Sequence, residues 1–196
     1  MKRLFDIISS ITGLVLLTPL FLLIALWIKT DSTGPVFYKQ TRVGKKGKYF
    51  SLLKFRSMIS GADTKGLLTV GGKDPRITKS GYFIRKFKLD EFPQLINVLL
   101  GDMSIVGPRP EVPKYVAFYN EDQRKVLDIK PGISDWASIR FSNENELLSK
   151  ANNPEDFYIS EIMPEKLVMN LEYIRKRNLW VDFKIIFLTI KKIVIK

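Results

Sequence analysis

Between Ile7 and Ile28 the chain runs for 22 residues without a charge, mostly Leu, Ile and Val. That is the length a helix needs to cross a hydrocarbon core of about 30 Å. Backbone at that depth must satisfy its own hydrogen bonds, so the run has to be helical. It is too long for an ordinary secretory signal, and no small-x-small cleavage site follows it. Thr18-Pro19 falls near its middle, where proline removes a backbone bond and kinks the helix. Lys2 and Arg3 precede the run, and Lys29, Lys39, Arg42, Lys45, Lys46 and Lys48 follow it. Cations favour the cytoplasmic side, which assigns both flanks to the same face. A helix that enters, bends at Thr18 and Pro19 and returns satisfies both facts. A straight span with its short N-terminus outside is the alternative. We read residues 1–30 as a re-entrant membrane helix and residues 31–196 as a membrane-associated cytoplasmic unit built around it.

The C-terminus carries a second apolar signal. Leu179, Phe183, Ile186, Phe187, Ile190 and Ile193 form one helical stripe, flanked by Lys184, Lys191, Lys192 and Lys196, with Trp180 at its start. Such a helix lies in the headgroup plane or packs in a core; beside the N-terminal segment, the interfacial reading is preferred. The net charge of +12 predicts an anionic partner: nucleic acid, a phosphorylated substrate or anionic membrane lipid. Cysteine and histidine are both absent. Thiolate metal sites, disulfides and His-based triads are therefore excluded, and any metal must be a hard cation held by oxygen, such as magnesium.

Between the two apolar ends the chain predicts a mixed α/β unit, mostly helical with a short β-hairpin. Gly34-Pro35 is a turn, Val36-Phe37-Tyr38 a strand, Gly44 to Lys48 a hairpin tip and Tyr49 to Leu53 the returning strand. The tip lacks the spacing of a P-loop, and no Gly-x-Gly-x-x-Gly occurs. Ser60 to Asp74 reads as a surface loop, Phe83 to Leu100 as mainly helical, and Gly107-Pro108-Arg109-Pro110 as a rigid stop with either X-Pro bond open to the cis form. Val112 to Val126 and Leu167 to Lys176 read as helices, with Lys130-Pro131-Gly132 breaking the chain between them and Ser142 to Glu165 locally polar and acidic.

Asp90-Glu91 follows Arg85, Lys86 and Lys88 at what reads as a helix start. Leu89, Phe92, Leu95, Ile96 and Leu99 recur at helical spacing, and Pro93 fits only a first turn. A carboxylate there faces unpaired backbone N–H groups, which favours the ionised form that a nucleophile or metal ligand requires. Alone, such a pair is more often just an acidic helix start. Lys54, Arg56, Arg76, Arg85 and Arg109 are spaced so that a compact fold can gather them on one anion, and arginine forks match phosphate oxygens. Lys54 and Arg56 alternate with Leu53 and Phe55 and so share a face of an extended segment. Most other cations, Lys45, Lys46, Lys48, Lys191 and Lys192 among them, suit a solvated surface facing anionic lipid.

Five segments in order resemble the bacterial sugar transferases, the monotopic polyprenyl-phosphate phosphoglycosyl transferases. They run from Gly34 to Gly44, Phe50 to Met58, Asp74 to Thr78, Leu89 to Val98 and Gly101 to Pro110. Thr18-Pro19 stands where that family usually has Ser-Pro at its re-entrant hinge. The resemblance implies transfer of a sugar 1-phosphate from a nucleotide diphosphate sugar, usually a UDP-sugar, to undecaprenyl phosphate with release of UMP. It makes Asp90 the nucleophile of a covalent phosphosugar intermediate and gives Glu91 a supporting role, orienting groups or helping deprotonate the lipid phosphate. It implies Mg2+ bridging the donor diphosphate and the Asp90 region, with Lys54, Arg85 and Arg109 on phosphates. It implies the cytoplasmic face of a bacterial inner membrane and the start of a surface-glycan pathway, in a small form without an additional N-terminal domain. The likeness weakens after Pro110: Lys130-Pro131-Gly132-Ile133-Ser134-Asp135-Trp136 has Asp135 where the family commonly has Gly. Trp136 stacks on a base or serves as a core or interfacial tryptophan.

Other readings predict other observations. A membrane-bound nucleic-acid binder would share the charge, but no binding motif or stacking platform is present, so no nucleic-acid partner is expected. A non-catalytic basic scaffold at the membrane surface would have no need of an intact Asp90-Glu91 pair. A transferase that moves sugar without phosphate would release UDP, and the chain has no Asp-x-Asp motif.

Overall fold

The structure, a computed structural model, describes residues 1–66, 68–71 and 74–195; Leu67, Gly72 and Lys73 of the Ser60–Asp74 segment, and the flanking Lys196, lie outside the described residues. Helix α1 spans Lys2–Asp31, about 45 Å at 1.5 Å per residue if straight, and its helical assignment continues through Pro19. Proline leaves the Val15 carbonyl without its usual donor. One residue earlier, the Thr18 hydroxyl donates to the Leu14 carbonyl at 2.7 Å, a back-bond that often bends helices.

Both ends of α1 are fastened to the rest of the chain. At the start, Arg3 donates to the carbonyls of Val98 and Leu99, and Asp6 accepts from the Ser104 hydroxyl and the Ile105 N–H. Lys2 pairs with Asp182 at 2.5 Å. At the far end Ile24 and Ile28 pack against Phe55 and Ile84, and Asp31 accepts from the Ser80 N–H and hydroxyl. The segment between stays largely open, with Ile11, Val15, Leu16, Leu22 and Leu23 exposed. This is one helix long and apolar enough to cross a membrane, anchored by polar contacts at both termini to one body.

The expected hairpin forms, with β1 (Phe37–Val43) antiparallel to β2 (Tyr49–Phe55) in the register Phe37 opposite Phe55 and Val43 opposite Tyr49. The span expected to be mainly helical from Phe83 to Leu100 is two helices. Helix α2 covers Lys79–Lys86 and α3 covers Gln94–Leu100. Lys88 takes a left-handed φ of 57° between them, and a single 3-10 turn, Leu89–Glu91, follows it. Two three-residue strands, β3 (Ser104–Val106) and β4 (Gly132–Ser134), pair in parallel; they were too short to show a period-2 pattern. Their close crossing depends on glycine, because a Cβ on Gly132 would lie 2.0 Å from the Gly107 nitrogen. No cis peptide occurs among the described residues, so both X-Pro bonds of the Gly107–Pro110 turn are trans.

Short helices α4 (Pro113–Val116) and α5 (Glu121–Arg124) replace the single helix expected from Val112. The polar stretch from Ser142 is more ordered than its composition suggests. After α6 (Trp136–Arg140) come α7 (Glu144–Ser149), α8 (Pro154–Phe157) and a π turn leading into α9 (Met163–Lys176). These elements share the largest apolar core, centred on Val43, Val112, Tyr115, Leu148, Tyr158 and Leu167. Helix α10 (Leu179–Val194) buries Asp182 and Ile185 and leaves Trp180, Phe183, Phe187 and Ile190 exposed. Its apolar stripe therefore faces outward for much of its length.

Candidate active site

A cavity of about 440 Å³ opens between the hairpin, residues 60–63, 66 and 68–69, and helices α7 and α9, with Asp90, Lys54, Arg85 and Arg109 in its wall. Asp90 reaches it because Asn97 of α3 behaves like a neighbouring strand toward β2. Its Oδ1 accepts from the Leu53 N–H at 2.9 Å, and its Nδ2 donates to the Ser51 carbonyl at 2.8 Å. That pair clamps the 3-10 turn carrying Asp90 and Glu91 beside Lys54, the next residue of β2. Spacing alone did not single out Asn97; a polar residue on the buried side of an apolar helix start was the available signal.

Asp90 is 5 % exposed, and its Oδ1 is buried with no hydrogen-bond partner. Neither the 3-10 turn nor α3 has a side-chain cap. The helix-start argument for an ionised Asp90 therefore finds no N–H groups on that oxygen. Burial, and then the charge of Glu91, push the Asp90 carboxyl above its ordinary range, while Lys54 and Arg85 pull against them. Glu91 behaves in the opposite way. Burial works to raise it, but the Arg109 guanidinium and then Lys54 outweigh burial and hold its carboxyl well below the usual range. Arg109 clasps both Glu91 oxygens, Nη1 to Oε2 at 3.0 Å and Nη2 to Oε1. Lys54 Nζ stands 3.6 Å from Oε1. Burial brings the Lys54 ammonium down to about 8 despite that neighbour. The two adjacent carboxyls thus differ in kind, one neutralised by a buried ion pair and the other left unpaired on a cationic wall.

The five cations gathered by spacing divide in the structure. Lys54, Arg85 and Arg109 line the cavity beside Asp90, and Arg85 donates to Thr69 Oγ1 at 2.9 Å. Arg56 and Arg76 also reach the lining, but their forks hold backbone. Arg56 donates to the carbonyls of Ile28, Ser32 and Thr33 and so caps the end of α1. Arg76 pairs with Asp74 at 2.6 Å and donates to the carbonyls of Ala62, Gly66 and Leu68, shaping the loop that walls the cavity. Trp136 is not among the lining residues; it packs with Ile139, Tyr173 and Ile185, with the Lys184 ammonium 5.7 Å from its ring centre. The structure thus favours the core reading of this tryptophan over base stacking.

Asp135, marked in the sequence only as a departure from a glycine, has a definite task. It is 1 % exposed and caps α6 through Ser138 N–H, while its Oδ2 accepts the Arg109 N–H at 2.7 Å. It therefore ties β4 to the turn that presents Arg109. Asp135→Ala removes a helix cap and orphans the part-buried Arg109 N–H. The expected loss is about 2 kcal/mol of stability, read as a lower thermal midpoint in detergent, and an unchanged midpoint would count against this tie.

Three acidic ligands do not converge anywhere among the described residues, so an all-protein cage for a divalent cation is not built here. The unpaired buried oxygen of Asp90 does fit one ligand of a magnesium ion otherwise held by phosphate oxygens and water, the usual arrangement for that metal. Glu91, with both oxygens on Arg109, is not free for this.

The family model described as bacterial sugar transferase matches residues 1–196. The chain is similar to the undecaprenyl-phosphate glucose phosphotransferase of Komagataeibacter xylinus, 41% identical over 198 residues that cover 97% of this chain and 35% of that protein. It is 40% identical over 200 residues to the UDP-glucose:undecaprenyl-phosphate glucose-1-phosphate transferase of Escherichia coli K12, covering 98% of this chain and 40% of that one. Against the uncharacterized sugar transferase EpsL of Bacillus subtilis it is 37% identical over 195 residues, covering 100% and 88%. The chain thus spans well under half the length of the first two relatives.

Proposed function

The chain belongs to the bacterial sugar transferase family, and on that premise we propose that its cavity moves a sugar 1-phosphate from a UDP-sugar to undecaprenyl phosphate. The observation that carries the reading is the unpaired, buried Asp90 carboxyl on a wall of three cations. Two of the relatives above carry names for glucose phosphate transfer to the same lipid.

The chemistry follows from the placement. Phosphoryl transfer asks for positioning and charge neutralisation more than for acid–base work. Lys54, Arg85 and Arg109 take the donor diphosphate. An Asp90 oxygen attacks the phosphorus that bears the sugar, and the bond from that phosphorus to the bridging oxygen breaks, so UMP leaves with the electron pair. A phosphate oxygen of undecaprenyl phosphate then attacks the same phosphorus, and Asp90 departs as carboxylate. A carboxyl that burial leaves poorly stabilised is the better nucleophile once ionised. Glu91, held far below the usual range, is a poor proton acceptor. We therefore assign it to orienting Arg109 and Lys54, and not to deprotonating the lipid. Bound magnesium would neutralise charge on the diphosphate. Chelation of divalent cations is expected to stop turnover, with recovery on adding Mg2+; full activity in excess chelator would remove the metal.

The acceptor explains the anchor. Its phosphate sits at the headgroup plane of the bacterial inner membrane, so the site must sit on the cytoplasmic surface there. Polar fastening of both ends of α1 to one body favours a helix that returns to that face over one that crosses. The direct test is nucleotide release from detergent-solubilised protein with undecaprenyl phosphate, Mg2+ and a panel of UDP-sugars. Lipid-dependent UMP is the expected product, and UDP would indicate ordinary glycosyl transfer.

A further inference from the structure

Where helices α7 and α9 line the cavity, the wall differs from the cationic side around Asp90. Met163, Lys166, Leu167 and Asn170 recur at i, i+3, i+4 and i+7 on one face of α9, and all four line it. Lys166 is neutralised by Glu144 of α7 at 2.8 Å and lies 5.3 Å from the Tyr158 ring centre. Asn170 is 5 % exposed, and its Oδ1 is buried without a partner. Among the described residues its carboxamide makes no hydrogen bond at all. An unpaired buried amide works against folding, and Met163 and Leu167 beside it offer no strong hydrogen-bonding atom. A bound molecule would supply what the protein withholds.

The chemistry of the wall indicates which part of the donor. A carboxamide donates and accepts at once, an ammonium donates and a carboxylate accepts. Here those groups come from two helices around one volume, alongside the rings of Tyr119 and Tyr158. Uracil carries its polar atoms along one edge and asks for a flat slot, whereas a hexose carries hydroxyls around its rim. We propose that the α7–α9 wall is the sugar subsite and that Asn170 hydrogen-bonds a donor hydroxyl, making it a specificity-determining residue. The assignment rests on the transfer reaction proposed above.

The test compares wild type with Asn170→Leu, which keeps shape and helical preference but removes both hydrogen-bonding atoms. UDP-glucose, UDP-galactose and UDP-N-acetylgalactosamine are the donors, and binding of UDP alone is measured in parallel. With the donor the wild type uses best, kcat/KM is expected to fall about 10- to 100-fold, the loss of one or two substrate hydrogen bonds. UDP affinity should stay within about twofold. Unchanged kcat/KM overturns the assignment. An equal fall in UDP affinity overturns it too, and gives the wall to the base. If wild type neither releases UMP with any donor nor binds UDP, the underlying reaction fails and the inference goes with it. Should Asn170→Leu lose its thermal transition, Asn170→Ser decides by the same readouts.

Discussion

Asp90→Asn is expected to abolish lipid-dependent UMP release and, with it, any covalent phosphosugar adduct on the protein. The substitution keeps the shape of the side chain and replaces an attacking oxygen with an amide that cannot form a stable acyl phosphate. Removal of a nucleophile from an enzyme costs on the order of 10⁴ to 10⁶ in turnover, and nothing nearby substitutes for Asp90. Glu91 adjoins it, but both its oxygens are held by Arg109. The fold should tolerate the change. Asp90 Oδ1 makes no hydrogen bond, and burial already disfavours its charge, so stability should hold or rise slightly. A loss of activity with an unchanged thermal midpoint, and no adduct by intact-mass spectrometry after incubation with donor, is the expected result. Turnover within about tenfold of wild type would remove Asp90 from the nucleophile's role.

Arg109→Met separates what the ion pair does for the fold from what it does for the reaction. The change leaves the Glu91 carboxylate, largely buried, with only Lys54 near it. Breaking a buried pair from one side costs about 3–5 kcal/mol, which for a chain of this length corresponds to a thermal midpoint lower by roughly 10 °C. Removing both partners, in Glu91→Gln with Arg109→Met, should recover much of that stability, because no buried charge is then left alone. It should not recover turnover, since the donor phosphates have lost a cation. The single variant should also become sensitive to pH. In wild type the depressed Glu91 carboxyl contributes stability above its unfolded pKa of about 4.3, lost only as pH falls through the lower folded value. Without Arg109, burial raises that carboxyl, and the variant should gain stability as pH falls toward 4. If the single and double variants are equally stable, the pair does not hold the fold.

Much of this molecule was legible before its structure. The apolar run with Thr18 and Pro19, the hairpin around Gly44 to Lys48 and the Asp90-Glu91 pair each depend on local patterns, of length, alternation and neighbouring charge. The division of the cations was not legible. Arg56 and Arg109 are alike as residues in a basic chain, yet one caps a helix and the other clasps a carboxylate. Which occurs depends on where the Thr33 carbonyl and the Glu91 carboxylate arrive in space. The span from Phe83 to Leu100, expected to be mainly helical, divides into two helices for a related reason. Periodicity continues across Phe87 and Lys88, but packing of α3 on β2 through Asn97 sets a register that the backbone reaches only by turning at Lys88. β3 and β4 escaped because three residues carry no period, and Trp136 kept two readings because an indole suits a core or a base equally well.

Composition and order of residues by themselves determined that this chain carries a membrane-length helix, cannot use thiol or imidazole chemistry, and places a carboxylate pair among cations. These are consequences of what the side chains are and of distances along a helix or strand. Only the tertiary structure decided that Asp90 is left unpaired while Glu91 is neutralised, that Asp135 braces Arg109, and that Asn170 faces the cavity without a partner. Each of those depends on groups far apart in sequence, whose hydrogen bonds and charges act over a few ångströms and exist only once the chain has brought them together.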